Sequence, residues 1–206
     1  MTSRERVLAA VGHREPDRVP VDLGATPSSG ISAIAYGNLK RHIGIEEGRT
    51  RVYDVVQQLA QPEDAILDRF GADAADIGRA FNVEDSAWRD ALLPDGRPAQ
   101  CPAWFRPEAR PDGALAARLP DGLEIALMPA GGTFFDQRVF PYQDGYPADF
   151  GGLDTAMAKV LWAALPHSPW DHAGEADFWE RLRNNALELR RTSDRAIVLS
   201  AGCNLF

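Results

Sequence analysis

The sequence predicts an α/β fold, read as the N-terminal part of a (β/α)8 TIM barrel with an antiparallel β-meander insertion. Two observations predict it. Short apolar runs near residues 20, 75 and 197 alternate with stretches of helical periodicity, the order that builds a parallel sheet through right-handed crossovers. Between residues 85 and 128 that order gives way to Pro94-Asp95-Gly96, Pro111-Asp112-Gly113 and Pro120-Asp121-Gly122. In each, proline sets φ and glycine supplies a positive φ, the chemistry of tight antiparallel turns.

Taken in order, Thr2 and Glu5 have capping-box spacing ahead of an apolar stripe of Val7, Leu8 and Val11, so a first helix runs to about Gly12. Pro16 and Pro20 forbid helix next, and Val21-Asp22-Leu23, closed by Gly24, reads as the first strand. Ile31, Ile34, Ala35, Leu39 and Ile43 share one helical face, with Gly44 as a left-handed stop. Residues 54–60 read as a further helical stretch. Pro62 opens another helix, which ends at Gly71, and residues 73–77 form the second strand.

The meander's runs, 88–93, 114–119 and 123–128, are too short to bury a core of their own and are expected to pack on a larger body. Residues 131–152, rich in aromatic and turn residues, read as a packed loop, so 85–150 forms one insertion within a single domain spanning 1–206. Helical period returns with Leu153, Met157, Val160, Leu161 and Ala164. It returns again with Phe178, Trp179, Leu182, Ala186 and Leu189, behind an Asp177/Glu180 capping pair. Residues 196–199 are the third strand. A complete barrel needs about 250 residues and eight strands, so these 206 residues are expected to be part of one.

Composition limits the function. With 22 basic against 30 acidic residues the net charge is −8, the wrong sign for a protein whose main partner is a nucleic-acid backbone. No apolar stretch approaches the roughly 18 residues of a membrane span. The N-terminus opens with Arg4, Glu5 and Arg6 where a secretory signal has an apolar core, so a cytoplasmic location is expected. Cys101 and Cys203 lie far apart with no CxxC spacing, which points to reduced thiols rather than a disulfide framework or a structural zinc site.

The opening block, Thr2-Ser3-Arg4-Glu5-Arg6-Val7-Leu8-Ala9-Ala10 and then His13-Arg14-Glu15-Pro16-Asp17-Arg18-Val19-Pro20-Val21-Asp22, resembles the start of the uroporphyrinogen decarboxylase (URO-D) superfamily. Leu67-Asp68-Arg69-Phe70-Gly71-Ala72-Asp73 is similar to that family's join between helix and second strand, and residues 196–204 to its third strand and loop. The resemblance covers the family's N-terminal half and implies a barrel enzyme. Decarboxylases of the family carry an arginine-rich loop after the first strand, which holds substrate carboxylates, and an aspartate near the end of the second strand. Here the loop reads Gly24-Ala25-Thr26-Pro27-Ser28-Ser29-Gly30, with no basic residue, and the second strand runs out into Gly78-Arg79-Ala80-Phe81-Asn82.

Each substrate carboxylate left without a charged partner forgoes about 1.5–3 kcal/mol. The resemblance therefore leans to the corrinoid-linked methyltransferase branch. In that branch a methyl group moves between a small methylated substrate or thiol and a corrinoid protein, and zinc-dependent members bind the metal through a His-x-Cys and a distant Cys in the C-terminal half. Zinc and a partner-borne corrinoid are thus possible cofactors of a full-length enzyme, with none expected within this chain. The alternatives are uroporphyrinogen decarboxylation, and a non-catalytic half-barrel completed by a partner chain or a second copy.

Strand ends at the C-terminal face of a barrel supply its reactive groups. On that ground Arg79, Asn82, Cys203 and Asn204 are the candidate substrate-binding residues. Their structural alternatives are a salt bridge from Arg79 to Glu84 or Asp85, turn capping by Asn82, and a buried thiol at Cys203. His167 and His172 flank Asp171 but share no helical face with Pro169 between them, so hydrogen bonding is the plainer role. Ala130-Gly131-Gly132-Thr133 reads either as an anion nest or as a tight turn that lets Phe134 and Phe135 reach the core.

Overall fold

The capping box at the N-terminus forms as its spacing requires. Thr2 Oγ1 accepts the Glu5 amide at 3.2 Å and Glu5 Oε2 accepts the Thr2 amide at 2.8 Å, opening α1 (Ser3–Val11). The structure, a computed structural model, describes residues 1–45, 47–149 and 151–201. After α1 come β1 (Ile31–Ser32), α2 (Ala33–His42), β2 (Val52–Asp54), β3 (Leu59–Ala60), α3 (Asp64–Arg69) and β4 (Ala74–Asp76). The hairpin strands β5 (Trp88–Leu92) and β6 (Pro98–Pro102) follow, then β7 (Glu108–Ala109), β8 (Leu115–Arg118), β9 (Glu124–Met128) and β10 (Asp136–Gln137). The chain continues through α4 (Leu153–Met157), α5 (Leu161–Ala164), α6 (Phe178–Thr192) and β11 (Ala196–Val198).

These strands form four small sheets, none closed. Three are antiparallel: β1-β3-β2, β5-β6 and β10-β9-β8-β7. The fourth pairs β4 with β11 in parallel, Ala74 opposite Ala196 and Asp76 opposite Val198. Asp73 extends that pairing to a third segment, because its amide donates to the Val21 carbonyl at 2.7 Å while its carbonyl accepts from Ala196 at 2.8 Å. Val21 thus touches the start of β4, but the expected first strand at 21–23 does not form, and β4 pairs in a sheet with β11 alone among the described residues.

The ends of these segments nearest Asp73 are tied by ions. Arg6 reaches Asp73 at 2.5 Å and Asp17 at 2.6 Å, and Arg18 clamps both oxygens of Asp73 at 2.6 and 2.9 Å. Arg4 caps the C-terminus of α6 by donating to the Ser193 carbonyl at 2.7 Å, where the helix dipole favours a cation. The opening block thus joins the first helix, the first extended run, β4 and α6.

Several expected elements take another form. The helix expected over 54–60 is instead a tight turn, residues 55–58, between β2 and β3, because the Asp54 carboxylate takes the amides of Val56 and Gln57 at 2.9 Å and Gln58 adopts a φ of +56°. On α1 the buried positions are Arg6 and Ala9, while Leu8 and Val11 face outward, so ion pairing rather than the apolar stripe docks this helix. On α2 the enclosed face is Ala33, Tyr36 and Lys40. Asp177 caps α6 by position only and makes no side-chain cap bond, since its backbone is not extended.

The expected single meander is two sheets, although all its turn glycines adopt the positive φ foreseen for them, +82° to +86° at Gly96, Gly113 and Gly122. Rather than leaning on a larger body, these sheets supply much of the main core. Cys101, Phe105, Ile125, Met128 and Phe135 pack with Tyr36, Val52 and Ile66. A smaller core of Ile77, Phe81, Phe178 and Leu182 lies under α6.

Candidate functional site

The far end of β4 stops at Asp76, where a one-turn 3-10 segment, Ile77–Ala80, turns the chain outward. Asp76 Oδ1 accepts the Gly78 amide at 3.0 Å, and a side chain at Gly78 would put its Cβ 2.3 Å from the Ser168 carbonyl oxygen. Only glycine lets the segment that carries Ser168 close over the strand end. Gly24 is needed on the opposite wall. Its φ is +76°, and a Cβ there would lie 2.9 Å from Pro62.

Beside Gly24 and Pro62 lies a tight crevice of about 10 Å³, bordered also by Tyr53, Leu67, Asp76 and Arg79. Burial pushes the Asp76 carboxyl up to about 6 against the pull of the Gly78 amide and of the nearby His167 and Arg79. Burial also raises the Tyr53 phenol, and Asp54, Asp76 and Asp22 add to the shift, so Tyr53 stays protonated. Its hydroxyl is enclosed and makes no hydrogen bond within the described residues. The crevice is therefore bordered by a tyrosine that keeps its proton and by a carboxyl raised to about 6.

Outside the crevice, sharing Gln61, Pro62 and Arg79 with it, opens a cleft of about 420 Å³ that also includes Arg49, Arg51, Asn82 and Asp85. Two of the sequence candidates, Arg79 and Asn82, thus meet at one cleft. Arg79 pairs with Asp64 at 2.9 Å, neither with Glu84 nor with Asp85, because its turn faces the start of α3. Asn82 ties the strand end to residues 168–172 rather than capping its own turn. Its amide nitrogen donates to Ser168 Oγ at 2.6 Å and Asp171 Oδ2 at 2.8 Å, and its Oδ1 lies 2.8 Å from His172 Nε2. Cys203 and Asn204 lie outside the described residues.

The two histidines diverge. His167 stacks edge-on to Tyr53 with ring centroids 5.6 Å apart, whereas His172 sits between Asn82 and Glu175, 2.7 Å from the latter. Among the described residues no group of three or more His, Cys, Asp and Glu side chains converges as a metal-binding set. Gly131 turns the chain with a φ of +75°, but Phe135 alone of its aromatic pair is buried and Phe134 stays exposed.

Sequence reasoning missed Asp76, Tyr53, Arg49 and Arg51. Asp76 had a signal, since it is the polar residue near the end of the run 73–77. Tyr53 was hidden beside a stretch read as helix. Comparison of the chain with models of protein families, with curated proteins and with solved structures finds no match.

Proposed function

We propose that this chain forms the first part of a barrel enzyme of the uroporphyrinogen decarboxylase superfamily. In this reading it is a methyltransferase in which a methyl group passes between a small methylated substrate or thiol and the corrinoid of a partner protein. Support for the family comes from the opening block, whose Arg6, Asp17 and Arg18 converge with Asp73 just before β4, and from the parallel pairing of β4 with β11. Barrel enzymes place chemistry at the C-terminal strand ends and stability at the other face, which matches Asp76 at one end of β4 and the ion cluster at the other.

The choice of reaction rests on the charge of the cleft. The loop after the first extended run holds itself together through Thr26 and Ser29 hydroxyls and offers no cation, and Arg49, Arg51 and Arg79 each already face a carboxylate. Each substrate carboxylate bound here would have to displace one of those partners, which disfavours a substrate with many carboxylates over one with a single small polar group. In this reading Tyr53 donates a hydrogen bond to the substrate's heteroatom and Asp76 protonates it as the methyl group leaves. The described residues provide no zinc ligand set, so these roles are assigned to the chain's own groups alone.

Asp76 also supports the second reading, decarboxylation, because the family's decarboxylases carry an aspartate at this strand end. One experiment separates the two. The coding sequence is read on past the codon for Phe206, and the protein it specifies is incubated with a methylated corrinoid protein plus thiol and, separately, with uroporphyrinogen. Loss of the methyl-cobalt absorbance with thiol methylation is expected. Conversion of uroporphyrinogen to a less carboxylated porphyrinogen, with the corrinoid unchanged, would overturn the methyltransferase reading.

A further inference from the structure

Two guanidinium groups meet on one carboxylate oxygen in the outer half of the cleft. Arg49 Nη1 and Arg51 Nη2 lie 2.7 and 2.6 Å from Oδ1 of Asp85. The acceptor is held far less firmly than Arg51. That residue stacks on the Trp88 ring at 4.8 Å, donates to the Gln100 side chain at 3.2 Å, and has a side chain only 21% exposed. Asp85 belongs to the short 3-10 turn Asp85–Ala87, and its side chain is 69% exposed. Arg79, 18% exposed, borders the same cleft, and its partner Asp64 is 72% exposed.

The third carboxylate of the cleft, Glu63, is engaged elsewhere. It accepts from Lys40 at 2.5 Å, Tyr36 at 2.9 Å and the Arg49 amide at 2.8 Å. Arg51 and Arg79 are thus mostly enclosed, while the carboxylates that neutralise the cluster stand in water. Exposed pairs of this kind are screened and hold weakly. Guanidinium forks, by contrast, match the planar oxygens of a carboxylate or phosphate through paired donors.

We infer that Arg49, Arg51 and Arg79 form a binding site for the carboxylate or phosphate group of a small organic anion, and that Asp85 is an internal occupant which the ligand displaces. The inference deepens the proposed site and rests on that reading only in making this cleft the mouth of the Asp76 crevice. One anionic group is accommodated by displacing one exposed carboxylate, which is consistent with exclusion of a polyacid.

The test titrates the full chain at low salt with inorganic phosphate and with succinate, using dimethyl succinate as the uncharged control, and reads heat of binding. Saturable binding of phosphate, succinate or both, with none of the diester, is expected, and the stronger of the two names the class. Asp85→Asn removes the competing charge and is expected to tighten binding roughly threefold to tenfold. Arg49→Gln, at a largely exposed position, is expected to loosen it about tenfold. Arg51→Gln should do the same, with thermal unfolding recorded alongside because it also loses the Trp88 stack. Absence of saturable binding in both wild type and Asp85→Asn, or affinity unchanged by Asp85→Asn and Arg49→Gln, overturns the inference. A protein that binds the anion but moves no methyl group would remove the proposed reaction and leave this site standing.

Discussion

Asp73 and Asp76 flank one short parallel strand, and their surroundings drive them in opposite directions. Asp73 is fully enclosed. Burial alone would raise its carboxyl, but the Val21 amide and the Arg18, Ser3 and Arg6 side chains pull it below the usual carboxylate range. Asp76 accepts the Gly78 amide, and burial prevails, taking it up to about 6. Burial raises both carboxyls; several donors outweigh it at Asp73, whereas the single amide at Asp76 does not. This difference separates a face built for cohesion from a face left chemically unsettled.

The largest expected effect breaks the cohesive end. Asp73→Ala leaves Arg6 and Arg18 facing each other without their shared anion and frees the amide of Val21. Loss of one partner from a buried ion cluster costs about 3–5 kcal/mol, measured as denaturant unfolding at pH 7. Because the folded-state value of Asp73 is depressed, its stabilisation is complete above the unfolded value of about 3.9 and is lost as pH falls below it. Wild type should therefore weaken on acidification more steeply than Asp73→Ala. A loss under about 1 kcal/mol would show that the cluster behaves like a surface pair.

How much of this was legible in the sequence follows from which interactions are local. The Thr2/Glu5 box and the three Pro-Asp-Gly turns depend on neighbours a few residues apart, and both formed as read; the strand near 75 also formed, held by a partner at 196–198. Residues 54–60 failed because the Asp54 carboxylate captured two following amides, a side-chain event that apolar spacing does not register. The outward face of α1 failed for a different reason. Arg6 buries itself against Asp17 and Asp73, and a partner 67 residues away is invisible to periodicity. At the site, Arg79 and Asn82 were found from their place after a strand. Arg49 and Arg51 reach the cleft, and Tyr53 the crevice, through the packing of β2 and the residues before it.

The middle-sized effect sharpens the comparison at the other end. A carboxyl raised in the folded state contributes stability below its unfolded value of about 3.9 and loses it as pH rises through the folded value, here about 6. At pH 7 the ionised Asp76 therefore costs roughly 2–3 kcal/mol. Asp76→Asn keeps an oxygen for the Gly78 amide and removes the charge. It should stabilise the protein by up to that amount at pH 7 and leave it unchanged at pH 4, as read by denaturant unfolding at the two values. Equal effects at both pH values would mean that Asp76 is not held in an unfavourable ionisation state.

The smallest effect on stability carries the most about chemistry. Tyr53 encloses a hydroxyl that no group among the described residues satisfies, so removing it relieves an unpaired donor rather than breaking a bond. Tyr53→Phe should shift the unfolding free energy by no more than about 1 kcal/mol, in either direction. If the hydroxyl serves the proposed substrate, turnover in the methyl-transfer assay should fall at least about tenfold, as for loss of a preorganised donor. A variant that loses stability but keeps full turnover would make the hydroxyl a structural one. The chemical case for this end of β4 would then rest on Asp76 alone.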